Sequence, residues 1–191
     1  MGKRIVTPML GVNAKSYMWG DELFEIAQYC EKIAVENDIS ITMNVPFVDI
    51  YRIAKMAKHV IITAQGVDAI EPGGTMGGAL PEAIKSAGAD AAIINHAARP
   101  MTLTQVVHSI ERCKDVGLYT FVCADSLEEA KMIATLNPTG VICEQTKLIG
   151  SGVLASPEYL QSTTKAVKDI NPEIIVMQGA GIKSGEDIYR N

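Results

Sequence analysis

Four polar side chains that could carry out proton transfer stand just after short apolar runs of the sequence. They are a carboxylate, an imidazole, an ammonium group and an amide, in the residues Glu144, His96, Lys15 and Asn13. A carboxylate can remove a proton from carbon, while a neutral imidazole and a cation stabilise the oxygens of the enediolate that forms. This set therefore suits proton transfer next to a carbonyl group. Taken singly, each residue also has an ordinary interpretation, such as a solvated acid or a surface lysine.

Two small-residue turns also follow apolar runs. One is Gly150-Ser151-Gly152, shortly after Glu144, and the other is Gly179-Ala180-Gly181. Backbone N–H groups in such turns can hold a phosphate. A flexible loop beside a reactive acid can close over a substrate and exclude water. These turns predict a phosphate-binding site with a mobile lid.

The elements that must position these residues alternate regularly along the chain. Apolar runs predict strands at 7–12, 40–43, 60–64, 91–94, 119–123, 141–143 and 174–177. Amphipathic stretches predict helices at 22–36, 48–58, 80–87, 103–116, 127–136 and 158–170. Start signals support two of these helices, because Ser126 stands three residues before Glu129, and Ser156 precedes Pro157.

Strands that are apolar throughout, each followed by a helix, predict a parallel sheet covered by helices. No linker or charge block divides the sequence, so we expect one domain, residues 1–191. A closed (β/α)8 barrel and an open doubly wound sheet both fit, and both bind ligands at the carboxyl ends of their strands. The nearest resemblance to a dinucleotide-binding glycine motif, at 179–185, follows the last strand and is a weak signal.

Composition excludes several kinds of partner. A net charge of −5 and a pI near 5.2 provide no basic field for nucleic acid or an anionic membrane surface. No apolar run approaches the ~20 residues of a membrane span, and the amino terminus has no signal-peptide pattern. The four cysteines have no metal-ligand spacing, so we expect buried free thiols, a reducing compartment and a cytoplasmic location.

The segments that carry these side chains resemble the triosephosphate isomerase family, especially its shorter archaeal-type branch. Val12-Asn13-Ala14-Lys15 is similar to the family's N-x-K segment, and Ile94-Asn95-His96 to the segment with its electrophilic histidine. Glu144 with 148–152 is similar to the catalytic base and its lid, and 179–182 to a phosphate-binding turn. The resemblance covers nearly the whole chain and implies a TIM (β/α)8 barrel, of which seven βα units are visible.

The resemblance also implies roles for individual residues. Glu144 would be the base, His96 the electrophile, and Lys15 a catalytic and substrate-contacting cation beside Asn13. The remaining substrate contacts would come from the lid and the last turn, with backbone contacts to phosphate at Ile149 and Gly181. These substrate-binding residues are Ile149, Gly150, Ser151, Gly179, Ala180 and Gly181.

The activity that the resemblance implies is a glycolytic type of aldose–ketose isomerisation, with no metal and no organic cofactor. The substrate would be glyceraldehyde 3-phosphate and dihydroxyacetone phosphate, or a tetrulose phosphate. The alternative is a catalytically idle barrel that only binds sugar phosphates. By resemblance, the glycine loop 73–78 docks into a neighbouring subunit near Lys15, so we expect a homodimer or homotetramer.

Three departures from the family pattern stand out. Ala97-Ala98-Arg99 replaces Ser-Glu-Arg after the histidine, and the lid begins Gln145-Thr146-Lys147 where the archaeal branch has a Pro-Pro pair and then Glu. These changes favour a paralogue that acts on a related ketose phosphate. Only seven strands are visible before Asn191, so we expect the protein to continue with an eighth βα unit.

Overall fold

Strands and helices alternate through the computed structural model, which describes residues 3–190. Residues 1, 2 and 191 of the predicted domain 1–191 lie outside the described residues. The strands are β1 Met9–Asn13, β2 Ser40–Val45, β3 Ile61–Ala64, β4 Ala91–Ile94, β5 Tyr119–Ala124, β6 Gly140–Cys143 and β7 Ile175–Gln178. The helices are α1 Gly20–Asn37, α2 Ile50–Met56, α3 Pro81–Ser86, α4 Leu103–Asp115, α5 Leu127–Thr135, α6 Pro157–Ile170 and α7 Gly185–Arg190. Short 3-10 helices cover Phe47–Asp49 and Thr146–Leu148.

Each strand and helix expected from the sequence is present, with shifts only at its ends. The largest shifts at strands are two residues: β1 begins at Met9 rather than at residue 7, and β2 continues to Val45 rather than ending at residue 43. Pro8 has no N–H group to donate to a neighbouring strand, which explains the later start. The helix predicted at 48–58 is a 3-10 turn followed by α2.

The chain divides into two compact units by its internal contacts. The first comprises Met1–Ile93 and Thr104–Tyr119, and the second comprises Ile94–Leu103 and Thr120–Asn191. The single domain therefore stays a prediction. In the part of the chain that the structure describes, no helix has both the length and the apolar character needed to cross a membrane.

In the first unit, neighbouring strands run parallel in chain order. The register aligns Asn13 of β1 with Asn44 of β2 and Thr63 of β3, so these polar residues stand side by side. Every residue of β2 and β3 is buried, as expected for strands covered on both faces. Helix α1 buries Leu23 and Ala27 from its apolar stripe, and removal of a large side chain such as Leu23 from water contributes about 1.5–3 kcal/mol.

A buried carboxylate fastens helix α1 to the turn before β3. The Glu31 side chain accepts hydrogen bonds from the backbone N–H groups of Lys58, His59 and Val60, at 2.8–3.1 Å. The Nδ1 atom of His59 lies 2.8 Å from the same carboxylate. Burial raises the pKa of Glu31, but these hydrogen bonds lower it by more, so its pKa lies below the usual 4.5.

Replacing Glu31 with glutamine should destabilise the fold by about 1–3 kcal/mol, because the N–H groups of Lys58, His59 and Val60 lose a charged acceptor. A lowered folded-state pKa means that the stabilisation is complete above the unfolded pKa of about 4.5 and is lost as the pH falls through the lower, folded-state pKa. Urea unfolding at pH 7 should therefore separate the wild type from Glu31→Gln, and the gap should narrow below pH 4. Glu36→Gln, which removes an exposed acid of the same helix, should change stability by less than about 0.5 kcal/mol. An equal effect of both changes would contradict this role.

In the second unit, β5, β6 and β7 are also parallel, and the register aligns Ala124, Cys143 and Gln178 at their carboxyl ends. Both predicted helix starts are found, since the Ser126 hydroxyl accepts from the N–H of Glu129 and the Ser156 hydroxyl from that of Tyr159. Gln178 Nε2 donates to the hydroxyls of Thr163 and Thr164 on α6, at 3.1 and 3.0 Å. These bonds fix the end of β7, where the Gly179 turn begins.

Candidate functional site

His96 and Glu144 come together at the carboxyl ends of strands in the second unit. The Nε2 atom of His96 lies 3.7 Å from Oε1 of Glu144, and the two side chains are only 13% and 17% exposed. Glu144 directly follows β6, and its N–H donates to the carbonyl of Ala124 at 2.9 Å. Because 3.7 Å exceeds an ordinary hydrogen bond, the two side chains face a common point rather than forming a tight pair.

The backbone selects the tautomer of His96. The N–H of Ala98 donates to Nδ1 of His96 at 3.1 Å, so Nδ1 holds a lone pair. A neutral imidazole must then carry its proton on Nε2, the nitrogen that faces Glu144. The ring can therefore donate a hydrogen bond to an oxygen of a bound molecule. Ala97 and Ala98 are exposed, and the contact uses only the backbone of Ala98, so the side chains replaced at these positions are not needed for it.

Asn95 supports the histidine from the preceding position. It is one of the few non-glycine residues in the left-handed region, with φ 59°. Its Nδ2 donates to the carbonyl of Cys123 at 3.2 Å, and its Oδ1 accepts from the N–H of Met101 at 3.0 Å. Asparagine tolerates this conformation better than most residues. The sequence placed Asn95 at a strand end but did not predict this anchoring, which joins residues six and 28 positions away.

The thiols next to Glu144 stay neutral. All four cysteines are free and buried. Burial raises the pKa of Cys143 to about 11, and burial raises that of Cys123 further, with a contribution from the charge of Glu144. A neutral thiol does not repel the Glu144 carboxylate, so these cysteines add no negative charge beside it.

The lid folds into two left-handed glycine turns after its 3-10 helix. Gly150 and Gly152 both have φ +72°, a conformation that other residues rarely adopt. The Ser151 hydroxyl donates to the carbonyl of Leu148 at 2.8 Å and accepts from the N–H of Val153 at 3.0 Å. At the start of the lid, the N–H of Thr146 donates to the Asp125 carboxylate. This tether stands where the family pattern has prolines.

The last turn lies against both the lid and Glu144. A Cβ atom on Gly181 would meet the carbonyl oxygen of Val153 at 2.0 Å, so only glycine fits. A Cβ atom on Gly179 would lie 2.9 Å from Oε2 of Glu144, so this glycine leaves room for the carboxylate. Ala180 between them has φ 74°, a strained value for a residue with a side chain. The second unit thus gathers the carboxylate, the imidazole and both glycine turns.

Asn13 and Lys15 belong to the first unit. Lys15 is also left-handed, with φ 47°. Its N–H donates to Oδ1 of Asn13 at 2.9 Å, and its carbonyl accepts from Nε2 of Gln65 at 2.6 Å. Asn13 therefore holds the backbone of Lys15, and Gln65, which was not among the predicted site residues, does the same from β3's end. Among residues 3–190 there is no group of three or more His, Cys, Asp or Glu side chains that could hold a metal ion.

Comparison with known proteins gives a consistent family. The sequence model of the family described as triosephosphate isomerase matches residues 8–189. The chain is 37% identical over 187 residues to the triosephosphate isomerase of Methanobacterium bryantii, covering 95% of this chain and 82% of that protein. It is 37% identical over 185 residues to that of Methanocaldococcus jannaschii, with 94% and 84% covered, and 35% identical over 187 residues to that of Sulfurisphaera tokodaii, with 96% and 81% covered. The chain therefore belongs to the triosephosphate isomerase family.

Proposed function

We propose that the protein interconverts a small phosphorylated aldose and its ketose through an enediolate, with Glu144 as the base. The observation that carries this proposal is the pair of His96 and Glu144, with Nε2 of the imidazole 3.7 Å from the carboxylate and Nδ1 accepting from the N–H of Ala98. Family membership confirms the expected triosephosphate isomerase-like enzyme and the TIM-barrel fold class. It does not favour the alternative of a catalytically idle barrel.

The proposed steps move one carbon-bound proton and one hydroxyl proton, and they leave the carbon skeleton unchanged. Glu144 takes a proton from the carbon next to the carbonyl, and the electron pair of that C–H bond shifts to form the enediolate. The Nε2–H of His96 donates to the oxygen on which negative charge develops. His96 gives its Nε2 proton to that oxygen and takes the hydroxyl proton of the neighbouring carbon in exchange. Glu144 then returns its proton to the former carbonyl carbon of the enediol, so that the aldehyde and ketone positions are exchanged and both side chains regain their starting protonation.

The substrate's charge is met by a lysine and by backbone groups. Lys15 would offset the negative charge of the substrate, and its strained backbone, held by Asn13 and Gln65, supports a fixed position for the ammonium. The N–H groups of two turns would hold the phosphate, including backbone contacts at Ile149 and Gly181. The turn residues proposed for this are Gly150, Ser151, Gly179, Ala180 and Gly181.

The assay that tests the function measures turnover of phosphorylated three-carbon and four-carbon aldoses and ketoses. We expect isomerisation of glyceraldehyde 3-phosphate and dihydroxyacetone phosphate or of a tetrulose phosphate. The departures at 97–99 and 145–147 motivate including the four-carbon sugars. Absence of turnover on every sugar phosphate, by a folded protein that binds glycerol 3-phosphate, would contradict catalysis and favour an idle barrel.

The proposal also includes a cellular location and an oligomeric state. Four buried free thiols support a reducing, cytoplasmic location. We propose a homodimer or homotetramer, with loop 73–78 as the docking segment. Its residues are all exposed, and Met76 is 97% exposed, so the loop is available for contact with another subunit.

A further inference from the structure

A lysine that is not among the predicted site residues lies across the lid. Lys183 follows the last glycine turn, and a Cβ atom on Gly152 would stand 2.0 Å from its Nζ and 1.9 Å from its Cε. The ammonium group therefore occupies the space directly above Gly152, where a side chain of the lid would otherwise lie. An exposed lysine usually extends into water, so this folded position needs a reason.

No acid neutralises this lysine within residues 3–190. Its ammonium makes no ion pair or side-chain hydrogen bond there. The nearby carboxylate of Asp187 accepts the backbone N–H groups of Lys183 and Ser184, both at 2.9 Å. The Asp187 bonds thus hold the backbone of Lys183 in place and leave its ammonium group available to another anion.

We propose that Lys183 binds the substrate's phosphate from the lid side and makes affinity depend on that charge. This rests on the proposed function, because the lid turn beside the ammonium is the proposed phosphate site. Backbone N–H groups of Gly150 and Ser151 can orient a phosphate but carry no net charge. An ammonium group beside them adds a charge-assisted hydrogen bond, which is shorter and stronger than a neutral one.

The position also makes Lys183 a link between two segments. Gly181 packs directly on the backbone of Val153, and Lys183 covers Gly152, so the segment 181–183 contacts two consecutive residues of the lid. A phosphate held by Lys183 and by the lid would contact both segments at once. Sugar phosphates would then be bound more tightly than the same sugars without phosphate.

Calorimetric titration with glycerol 3-phosphate tests this assignment, with three variants of the wild-type chain. Lys183→Met keeps the length of the side chain and removes its charge, and should weaken binding by about tenfold or more, as for loss of a charged hydrogen bond. Lys183→Arg keeps the charge and should bind within about threefold of wild type. Lys165→Met, which removes an exposed lysine of α6 that pairs with Asp169, should bind like wild type.

Steady-state kinetics separates phosphate binding from a merely structural contact. Lys183→Met should raise KM by a factor similar to its loss of affinity, with a smaller change in kcat. Affinity within twofold of wild type would overturn the assignment, and so would a lower kcat with unchanged affinity, which would indicate that Lys183 only braces the lid.

The same titration distinguishes this inference from the proposed function. A wild type that binds glycerol 3-phosphate through Lys183 but isomerises no sugar phosphate would remove the proposed reaction and support the assignment. An active wild type whose affinity and KM are unchanged by Lys183→Met would overturn the assignment and leave the proposed reaction standing.

Discussion

Glu144→Gln should lower kcat by about 10²–10⁴-fold, the usual contribution of a positioned acid–base group. Glutamine has nearly the same shape as glutamate but cannot accept a proton from carbon. The Glu144 side chain is 17% exposed and lies 3.7 Å from Nε2 of His96, so the amide can occupy the same space. The free energy of unfolding should therefore change little, while the chemical step fails.

Two measurements check this expectation. Isomerase turnover gives kcat, and proton NMR in heavy water follows exchange of the carbon-bound proton, which the base must catalyse. Glu128→Gln is the matched control, because it changes an exposed acid in the first turn of α5. Turnover of Glu144→Gln within twofold of wild type would show that another group is the base.

The strands could be predicted because physical chemistry marks them plainly in the sequence. Parallel strands covered on both faces are mostly apolar, so β3, β4 and β6 stand out as short runs between polar segments. Polar residues directly after such runs fall at the carboxyl ends, which is why Glu144 and His96 could be singled out. Local rules were sufficient for this much.

The supports of the site depend on pairings that local rules cannot show. Gln65 reaches the carbonyl of Lys15 across 50 positions, and Asn95 reaches Cys123 across 28. Lys183 meets Gly152 only because two loops fold onto each other. The left-handed backbone of Lys15 is equally hidden, since lysine has no preference for that region. Strained conformations of this kind persist only where surrounding bonds enforce them.

The altered residues after the histidine show that a change in sequence need not change the contacts of the site. Their sequence suggested a different substrate, because a hydroxyl and an acid of the family pattern are replaced by Ala97 and Ala98. The structure shows that the contact to His96 comes from the backbone N–H of Ala98. A change of side chain leaves that donor in place, so the tautomer of the imidazole is kept.

Lys15→Met should lower kcat/KM by about 10²–10³-fold, similar to loss of one electrostatic contact to a developing charge. The change is a clean one because it spares the backbone. Methionine and lysine have the same difficulty at φ 47°, and the bonds from Asn13 and Gln65 go to the N–H and carbonyl of residue 15, which both residues possess. The charge is therefore the main property that is lost.

The comparison that decides this prediction combines kinetics with unfolding. Lys32→Met, which removes an exposed lysine of α1 paired only with Glu36, should leave kcat/KM unchanged and cost less than about 0.5 kcal/mol. Lys15→Met should match that control in urea unfolding and differ from it by orders of magnitude in turnover. If Lys15→Met instead unfolds much more readily, or isomerises as fast as the control, the ammonium of Lys15 does not act on the substrate. In either case we would conclude that the left-handed backbone of Lys15, held by the bonds from Asn13 and Gln65, stabilises the fold and does not serve to position the ammonium group.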